Sequence, residues 1–261
     1  MMFKDTTQIS DDISKIFNTI KSLPTISCSR CGALYRGEKS NFICKDCLEL
    51  EREQKEQQSR KNYQIQTLLN LSNIPKRYKR AIFEPKTAIQ NKVAQYFIKN
   101  FMELGNDGFS LEPFGAKASD SEKKLNKSTD ILLFGAVGTG KTYLSCAFAI
   151  NAIKKRQIRV KYITEYELLS LYFEKEYQAF KSFRDSQILI LDEIGKRILA
   201  DWQRVQLEEL LSHRYNDMLP TIYITNLEQN DFKEFLGNRL ADRLRENGLK
   251  RFAFDGESLR G

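Results

Sequence analysis

Gly135-Ala-Val-Gly-Thr-Gly-Lys-Thr142 satisfies the spacing Gly-x-x-x-x-Gly-Lys-[Ser/Thr] of a phosphate-binding P-loop. The apolar run 130–134 before it is too short for a helix and predicts a buried parallel strand. Residues 142–154 carry apolar side chains at helical spacing, so the glycines lie where a strand turns into a helix and backbone N–H groups can converge on phosphate. The alternative, a glycine-rich turn that binds nothing, does not account for a full match between a strand and a helix.

The residue types of this loop fit a nucleoside triphosphate with Mg²⁺. Gly138 and Gly140 allow the backbone to wrap the phosphates without Cβ clashes. Lys141 supplies a cation to the β and γ oxygens, and Thr142 offers a hydroxyl ligand to Mg²⁺. The residues expected to bind the nucleotide are Gly135, Ala136, Val137, Gly138, Thr139, Gly140, Lys141, Thr142 and Tyr143.

Two adjacent carboxylates follow a second apolar run. Residues 186–191 predict a buried strand, and Asp192-Glu193 come directly after it. Because parallel strands deliver their carboxyl ends to one edge of a sheet, we expect a Walker B element beside the P-loop. Asp192 is expected to hold Mg²⁺, and Glu193 to orient or deprotonate the attacking water. The alternative is that both carboxylates only cap the next helix.

The rest of this half of the chain predicts further alternation of strands and helices. Residues 158–163, 220–226 and 251–254 have the pattern of strands. A single helix is expected from Glu165 to about Lys181, and Asp201 is expected to be the N-cap of another.

Polar residues at the ends of these elements are candidates for the same site. Asn226 ends its strand level with Glu193, where it could position water or contact the γ-phosphate. Arg239 and Arg243 lie four residues apart on one helical face. Such arginines either reach a neighbouring subunit's γ-phosphate or form a basic face toward nucleic acid or solvent.

Two cysteine pairs near the N-terminus predict a structural zinc site. Cys28 and Cys31, and Cys44 and Cys47, form two Cys-x-x-Cys motifs separated by twelve residues, which can present four thiolates to one tetrahedral Zn²⁺. The surrounding sequence offers only a small apolar patch, so a module of this size depends on its metal. Redox dithiols are the weaker alternative, because they need only one such motif.

Three further segments complete the organisation. Residues 9–20 predict an amphipathic helix, which either packs on the zinc module or docks a partner. The charged segment 48–71 predicts a solvated connecting helix, and 86–104 a helix on the sheet. Residues 105–129 lack apolar periodicity and predict a mobile surface insertion.

The totals restrict the class of protein. The chain has 261 residues and a formal net charge of +8, which favours an anionic partner, with nucleic acid the leading candidate. No apolar run approaches the length of a membrane span, and the N-terminus lacks an apolar signal core. We therefore expect a cytoplasmic protein without membrane contact, in which the five cysteines bind metal or lie buried as thiols.

From Ile74 to Arg260 the chain resembles the bacterial replicative helicase loaders of the DnaC/DnaI family, AAA+ ATPases similar to the IstB transposition helpers. The resemblance rests on the P-loop and on Ile188-Leu-Ile-Leu-Asp-Glu-Ile-Gly195, Pro220-Thr-Ile-Tyr-Ile-Thr-Asn226, Leu236-Gly-Asn-Arg-Leu-Ala-Asp-Arg243 and Ser258-Leu-Arg260. It implies roles for three residues, which are sensor 1 for Asn226, the arginine finger for Arg243 and sensor 2 for Arg260. The long insertion at 105–129 departs from what the family leads us to expect.

The combined expectation is an α/β protein with a three-layer P-loop AAA+ core, a parallel sheet and a reduced C-terminal lid, preceded by a small zinc-binding module. Residues 1–72 are expected to bind a helicase, and residues 73–261 to form the ATPase domain. The expected catalytic residues are Lys141, Asp192, Glu193, Asn226, Arg243 and Arg260. ATP, Mg²⁺ and Zn²⁺ are the expected cofactors.

The resemblance implies an ATPase that loads the hexameric replicative helicase onto single-stranded DNA during replication initiation or restart. It also implies self-association through the ATP site. One alternative is an IstB-like ATPase that helps a DNA transposase, and another is a non-enzymatic zinc adaptor.

Overall fold

A computed structural model describes residues 23–36, 42–102 and 130–259, and the chain divides into two compact units between Tyr63 and Gln64. The amphipathic helix expected at 9–20, the insertion expected at 105–129 and Arg260 lie outside the described residues. Among the residues described, no helix is both long and apolar enough to cross a membrane.

The first unit is built on a hairpin and the start of a long helix. Strands β1 (Thr25–Ser27) and β2 (Leu34–Arg36) pair antiparallel, and helix α1 (Lys45–Leu71) follows. The apolar interior of this unit is small. Among the described residues it consists of the buried cysteines Cys28, Cys44 and Cys47, against which the partly buried side chains of Tyr35 and Ile43 pack. So few apolar contacts offer little stabilisation without a metal.

The second unit alternates strands with helices along the chain. After a 3₁₀ turn at Lys76–Tyr78, its elements are α2 (Ala88–Phe101), β3 (Ile131–Gly135), α3 (Lys141–Arg156), β4 (Val160–Thr164), α4 (Glu165–Phe173), α5 (Tyr177–Arg184), β5 (Ile188–Ile194), α6 (Asp201–Asn216), β6 (Thr221–Thr225), α7 (Gln229–Leu236), α8 (Asn238–Glu246) and β7 (Lys250–Phe254).

Among the described residues of this unit, five strands form one parallel sheet in the order β4-β5-β6-β3-β7. All residues of β3 and β6 are buried, as expected for strands covered on both faces. Since every strand runs in the same direction, the residues that follow β3, β5 and β6 meet at one edge of the sheet.

Alternate residues of the strands pack into two separate cores, one on each face of the sheet. One core includes Leu133, Ile190 and Ile224 and is covered by α2, α3 and the C-terminal end of α1. The other includes Leu132, Leu191 and Tyr223 and is covered by α4 to α8. Helices on both faces confirm the predicted three-layer α/β architecture.

Three local predictions were wrong. The single helix expected from Glu165 to about Lys181 is two helices, because Lys175 has a left-handed φ of 62° between α4 and α5. Asp201 is not an N-cap but the first residue of α6; Ala200 is the cap, and its N–H donates to the Gln203 side chain. Strand β5 continues to Ile194, so the two expected Walker B carboxylates lie inside it.

A buried carboxyl group lies at the opposite, amino edge of the sheet. Asp130 is buried just before β3, and its Oδ1 accepts a hydrogen bond of 2.7 Å from the N–H of Thr221. Burial raises the pKa of Asp130 from 3.8 to about 6. The folded state therefore holds the proton more tightly than the unfolded chain does.

Replacing Asp130 with asparagine is expected to make the free energy of unfolding depend less on pH under acidic conditions. With a folded pKa above the unfolded one, Asp130 contributes stability that is fully present below about pH 4 and lost as the pH rises through about 6. Between these pH values the wild type should lose up to about 3 kcal/mol of unfolding free energy relative to Asp130→Asn. Urea denaturation across this range measures it, with the exposed Asp231→Asn as control; parallel profiles for wild type and Asp130→Asn contradict the expectation.

Candidate nucleotide site and zinc centre

The loop between β3 and α3 has the backbone geometry of a phosphate cradle. Gly138 and Gly140 have φ values of 86° and 90°, which L side chains rarely adopt. A Cβ at Gly140 would lie 2.7 Å from Nε2 of Gln90, and one at Gly138 would collide with Ser258. The positive φ values therefore favour glycine at both positions, and the loop fits a triphosphate.

Lys141 is held inside this loop. Its side chain is 5% exposed, and Nζ donates to the carbonyl oxygens of Gly135 and Ala136 at 2.7 Å each. The structure thus keeps an ammonium group within the loop, where it can exchange carbonyl oxygens for phosphate oxygens.

Two supports of the loop were not predicted from the sequence. The side chain of Gln90, on α2, is buried; its Nε2 donates to the Thr139 carbonyl at 3.2 Å, and its Oε1 accepts from the Lys86 N–H at 2.8 Å. From the C-terminal segment, the N–H of Leu259 donates to the Gly138 carbonyl at 2.9 Å. The sequence contained a signal for Gln90. It lies three positions before Val93, so it is a polar residue on the apolar face of α2.

Gln90→Ala is expected to weaken both the fold and the site. The substitution leaves the Thr139 carbonyl and the Lys86 N–H without these partners, which should cost about 1–3 kcal/mol of unfolding free energy. The affinity for ATP should fall about three- to tenfold, because the loop loses a support. Thermal unfolding and binding of a fluorescent ATP analogue check this against Asn91→Ala, an exposed neighbour; equal behaviour of the two variants would refute the assigned role.

The two expected Mg²⁺ ligands lie together. The hydroxyl of Thr142 donates to Oδ2 of Asp192 at 2.8 Å, and the same oxygen accepts from the hydroxyl of Tyr162 at 2.8 Å. The N–H of Glu193 donates to Oδ1 at 2.7 Å. Burial raises the pKa of Asp192, while the hydrogen bonds from Tyr162, Thr142 and Glu193 oppose that rise. A hydroxyl and a carboxylate at this separation can both hold one Mg²⁺.

Glu193 lies at an irregularity of β5. The pairing with β6 shifts register between Leu191 and Ile194, and Glu193 has a φ of 56°. Bulges of this kind re-aim side chains near active sites. Its carboxylate is half exposed and forms an ion pair with Lys196, at 3.1 and 3.2 Å. An exposed pair of this type is worth about 1 kcal/mol or less, so the carboxylate can leave it readily.

The other predicted site residues have different surroundings. Asn226 is exposed and directly follows β6, the strand between β5 and β3, so it lies at the same edge as the P-loop and Asp192. Arg243 is half-buried against α6, where it donates to the Ser212 hydroxyl and lies 5.6 Å from the ring centroid of Tyr215. Arg243 is therefore engaged within its own chain.

The four N-terminal cysteines have the spacing of a tetrahedral metal site. The sulfurs of Cys28 and Cys47 are 3.8 Å apart, those of Cys31 and Cys44 are 3.7 Å apart, and all four lie within 4.8 Å of one another. Zn–S bonds of about 2.3 Å in a tetrahedron place sulfurs about 3.8 Å apart. The donor set therefore fits Zn²⁺.

Backbone N–H groups stabilise the thiolate form of the Cys28 sulfur. The N–H groups of Cys44 and Arg30 donate to the Cys28 sulfur at 3.3 and 3.4 Å, and such hydrogen bonds lower the pKa of Cys28 to about 6. The hydrogen bonds of Cys47 to the Cys44 and Cys31 sulfurs raise its pKa to about 12. A divalent cation favours the thiolate form of all four sulfurs, so metal binding counteracts the raised pKa of Cys47.

Comparison with known proteins places the second unit in a family. The model of the family described as "IstB-like ATP binding protein" matches residues 120–259, more than half of the chain. The "Replicative helicase loader DnaC" of Escherichia coli (strain K12) is 26% identical over 133 residues, which cover 48% of this chain and 54% of that protein. The "Uncharacterized protein YqaM" of Bacillus subtilis (strain 168) is 29% identical over 134 residues, 47% of this chain and 43% of that protein.

A solved structure agrees with this placement. The crystal structure of the DnaC helicase loader superimposes with a TM-score of 0.53 at 25% identity, covering 69% of this chain and 99% of that one. The chain spans about half the length of the curated relatives that it matches. With the P-loop, the adjoining carboxylates and the parallel sheet in place, the chain belongs to the family of IstB-like ATP binding proteins.

Proposed function

We propose that this protein is an ATPase that loads a hexameric replicative helicase onto single-stranded DNA during replication initiation or restart. The observation that carries the proposal is the hydrogen bond between Thr142 and Asp192 beside the buried ammonium of Lys141, which joins the P-loop to the carboxylate expected to hold Mg²⁺. The name of the Escherichia coli relative, a replicative helicase loader, supports the choice among ATPases.

Each residue of the site has a defined task in this proposal. When bound, ATP supplies the phosphoanhydride bond, and Mg²⁺ neutralises charge on its phosphates. Lys141 binds phosphate oxygens, and Thr142 and Asp192 hold the metal. Glu193 leaves Lys196 and orients or deprotonates the attacking water, while Asn226 positions that water. The products are ADP and phosphate.

Arg243 is proposed to complete the site of a neighbouring subunit. To do so it exchanges its contacts with Ser212 and Tyr215 for a γ-phosphate, and Arg260 acts as sensor 2. An arginine supplied in this way accelerates hydrolysis by about 10³–10⁵ in other nucleotidases. Hydrolysis in the cytoplasm would then depend on self-association through the ATP site.

Residues 1–72 are proposed to grip the helicase and residues 73–261 to bind and hydrolyse ATP. The test is size-exclusion chromatography of the full chain with the replicative helicase of its source organism, with and without ATP. We expect a stable complex that is lost in the Cys44→Ser/Cys47→Ser variant. Absence of a complex under every nucleotide condition contradicts the proposal.

A second candidate function is favoured by the family description. The family model is described as IstB-like, and the resemblance to the IstB transposition helpers implies an ATPase that uses the same site to present DNA to a transposase. Sedimentation with duplex DNA and ATP separates the two functions: duplex-dependent filaments without helicase affinity support the transposase helper, whereas helicase binding without such filaments supports the loader.

A further inference from the structure

Tyr162 occupies the centre of edge strand β4 and contacts two distinct parts of the second unit. Its side chain points into the core and is 6% exposed, and its hydroxyl donates to Oδ2 of Asp192 at 2.8 Å. Tyr162 therefore contacts the oxygen that also accepts from Thr142, although it belongs to neither the P-loop nor the Walker B strand.

The backbone of Tyr162 is bonded to the segment that follows α1. Its N–H donates to the Ser72 carbonyl at 2.8 Å, and its carbonyl accepts from Nδ2 of Asn73 at 3.1 Å. Since β4 is an edge strand, these bonds take the place of a further strand at this position. One residue thus connects the end of α1 with the expected Mg²⁺ ligand.

The segment Ser72–Asn73 is a sharp, well-anchored turn. Asn73 has a left-handed φ of 55°, and the Ser72 hydroxyl donates to the Leu69 carbonyl at 2.7 Å. On either side, Leu68 and Ile74 are buried in the core. Displacement of the end of α1 would therefore act on the two backbone bonds of Tyr162.

Space exists beside this turn for such a displacement. A cavity of about 310 Å³ borders it, and its lining includes Asn70, Asn73, Lys76, Tyr162 and Glu167. Closely packed interiors resist rearrangement, whereas an adjoining cavity removes the steric barrier on one side.

We propose that Tyr162 is a positioning residue that couples the C-terminal end of α1 to Asp192, and so makes the Mg²⁺ requirement of the nucleotide site depend on how this helix end is held. The hydroxyl fixes one carboxylate oxygen toward Thr142, and Ser72 and Asn73 fix the strand that carries the hydroxyl. A partner that moves the end of α1 would thereby alter metal binding. This inference rests on the proposed ATP and Mg²⁺ site.

The test is a titration of Mg²⁺ against binding of a fluorescent ATP analogue by the full chain. Tyr162→Phe keeps the ring and removes the hydroxyl, so we expect the Mg²⁺ concentration for half-maximal binding to rise about five- to tenfold. Affinity measured in EDTA should change less than about twofold, which a general loss of structure would not permit. Tyr177→Phe, on α5, is the matched control and should behave as wild type.

A double-substitution experiment tests the connection to α1. Asn73→Gly tolerates the left-handed backbone and removes the side-chain amide together with its Cβ, and it should raise the Mg²⁺ requirement about two- to fivefold. In the Tyr162→Phe background it should have no further effect, because the hydroxyl carries the coupling. Additive effects overturn the coupling, and an unchanged Mg²⁺ requirement in Tyr162→Phe overturns the positioning role. Wild-type protein that binds no nucleotide at any Mg²⁺ concentration overturns the proposed function itself.

Discussion

Removal of zinc is expected to unfold the first unit while leaving the sheet of the second unit intact. Strands β1 and β2 have three residues each, and within the described part of this unit only Tyr35 and Ile43 pack against the cysteine cluster. Structural zinc supplies an apparent binding free energy of about 10–16 kcal/mol, which so few apolar contacts cannot replace. Chelation, or Cys44→Ser, should therefore abolish the folded state of the hairpin.

Hydrogen exchange read by mass spectrometry measures this effect segment by segment. We expect protection at residues 25–36 to disappear in the chelated protein and in Cys44→Ser, with protection of β3, β5 and β6 retained. Cys146→Ala is the matched control, because Cys146 is a buried residue of α3 outside the cluster, and it should retain one zinc per chain. A hairpin that stays protected without zinc contradicts a structural role for the metal.

Lys141→Met is expected to reduce ATP hydrolysis by about 10²–10³-fold and to weaken nucleotide binding. The substitution keeps the buried aliphatic stem and removes the ammonium group that now contacts the carbonyl oxygens of Gly135 and Ala136. Without this cation the phosphate charge is poorly neutralised in both the ground state and the transition state. Phosphate release and binding of a fluorescent ATP analogue measure the two effects.

Two further variants separate binding from hydrolysis. Lys155→Met changes an exposed lysine of the same helix and should leave nucleotide binding as in wild type. Glu193→Gln should bind ATP within about threefold of wild type yet lose about 10²–10⁴-fold in hydrolysis, because it removes the proposed general base. If Lys141→Met changed neither binding nor hydrolysis, a non-enzymatic zinc adaptor would be the better description.

The fold class was predictable because it depends on signals that are local in sequence. A strand, a glycine-rich loop and a helix occur in succession around Gly135 to Thr142. The parallel sheet, and the three-layer architecture in which helices cover both of its faces, were confirmed. The cysteine cluster was predictable for the same reason, since two short motifs provide all four sulfurs. The domain boundary at 72/73 and the roles of Asn226, Arg243 and Arg260 stay predictions.

The missed features depend on contacts between residues that are distant in sequence. From the sequence alone, Tyr162 is an aromatic residue of a predicted strand, and only the fold brings its hydroxyl to Asp192. Gln90 supports the P-loop from a helix more than forty residues earlier. The register shift of β5 at Glu193 reflects its pairing with β6, so a reading of β5 alone ended the strand too early.

Loading of a helicase ring onto DNA without ends is the most direct test of the proposed function. The replicative helicase of the source organism would be mixed with closed circular single-stranded DNA and ATP, and the helicase retained on the circles after gel filtration would be measured. A closed circle can enter a ring only if the ring opens. We predict that retention requires this protein with ATP and is lost with Lys141→Met; retention that is the same with and without the protein would contradict a loader function.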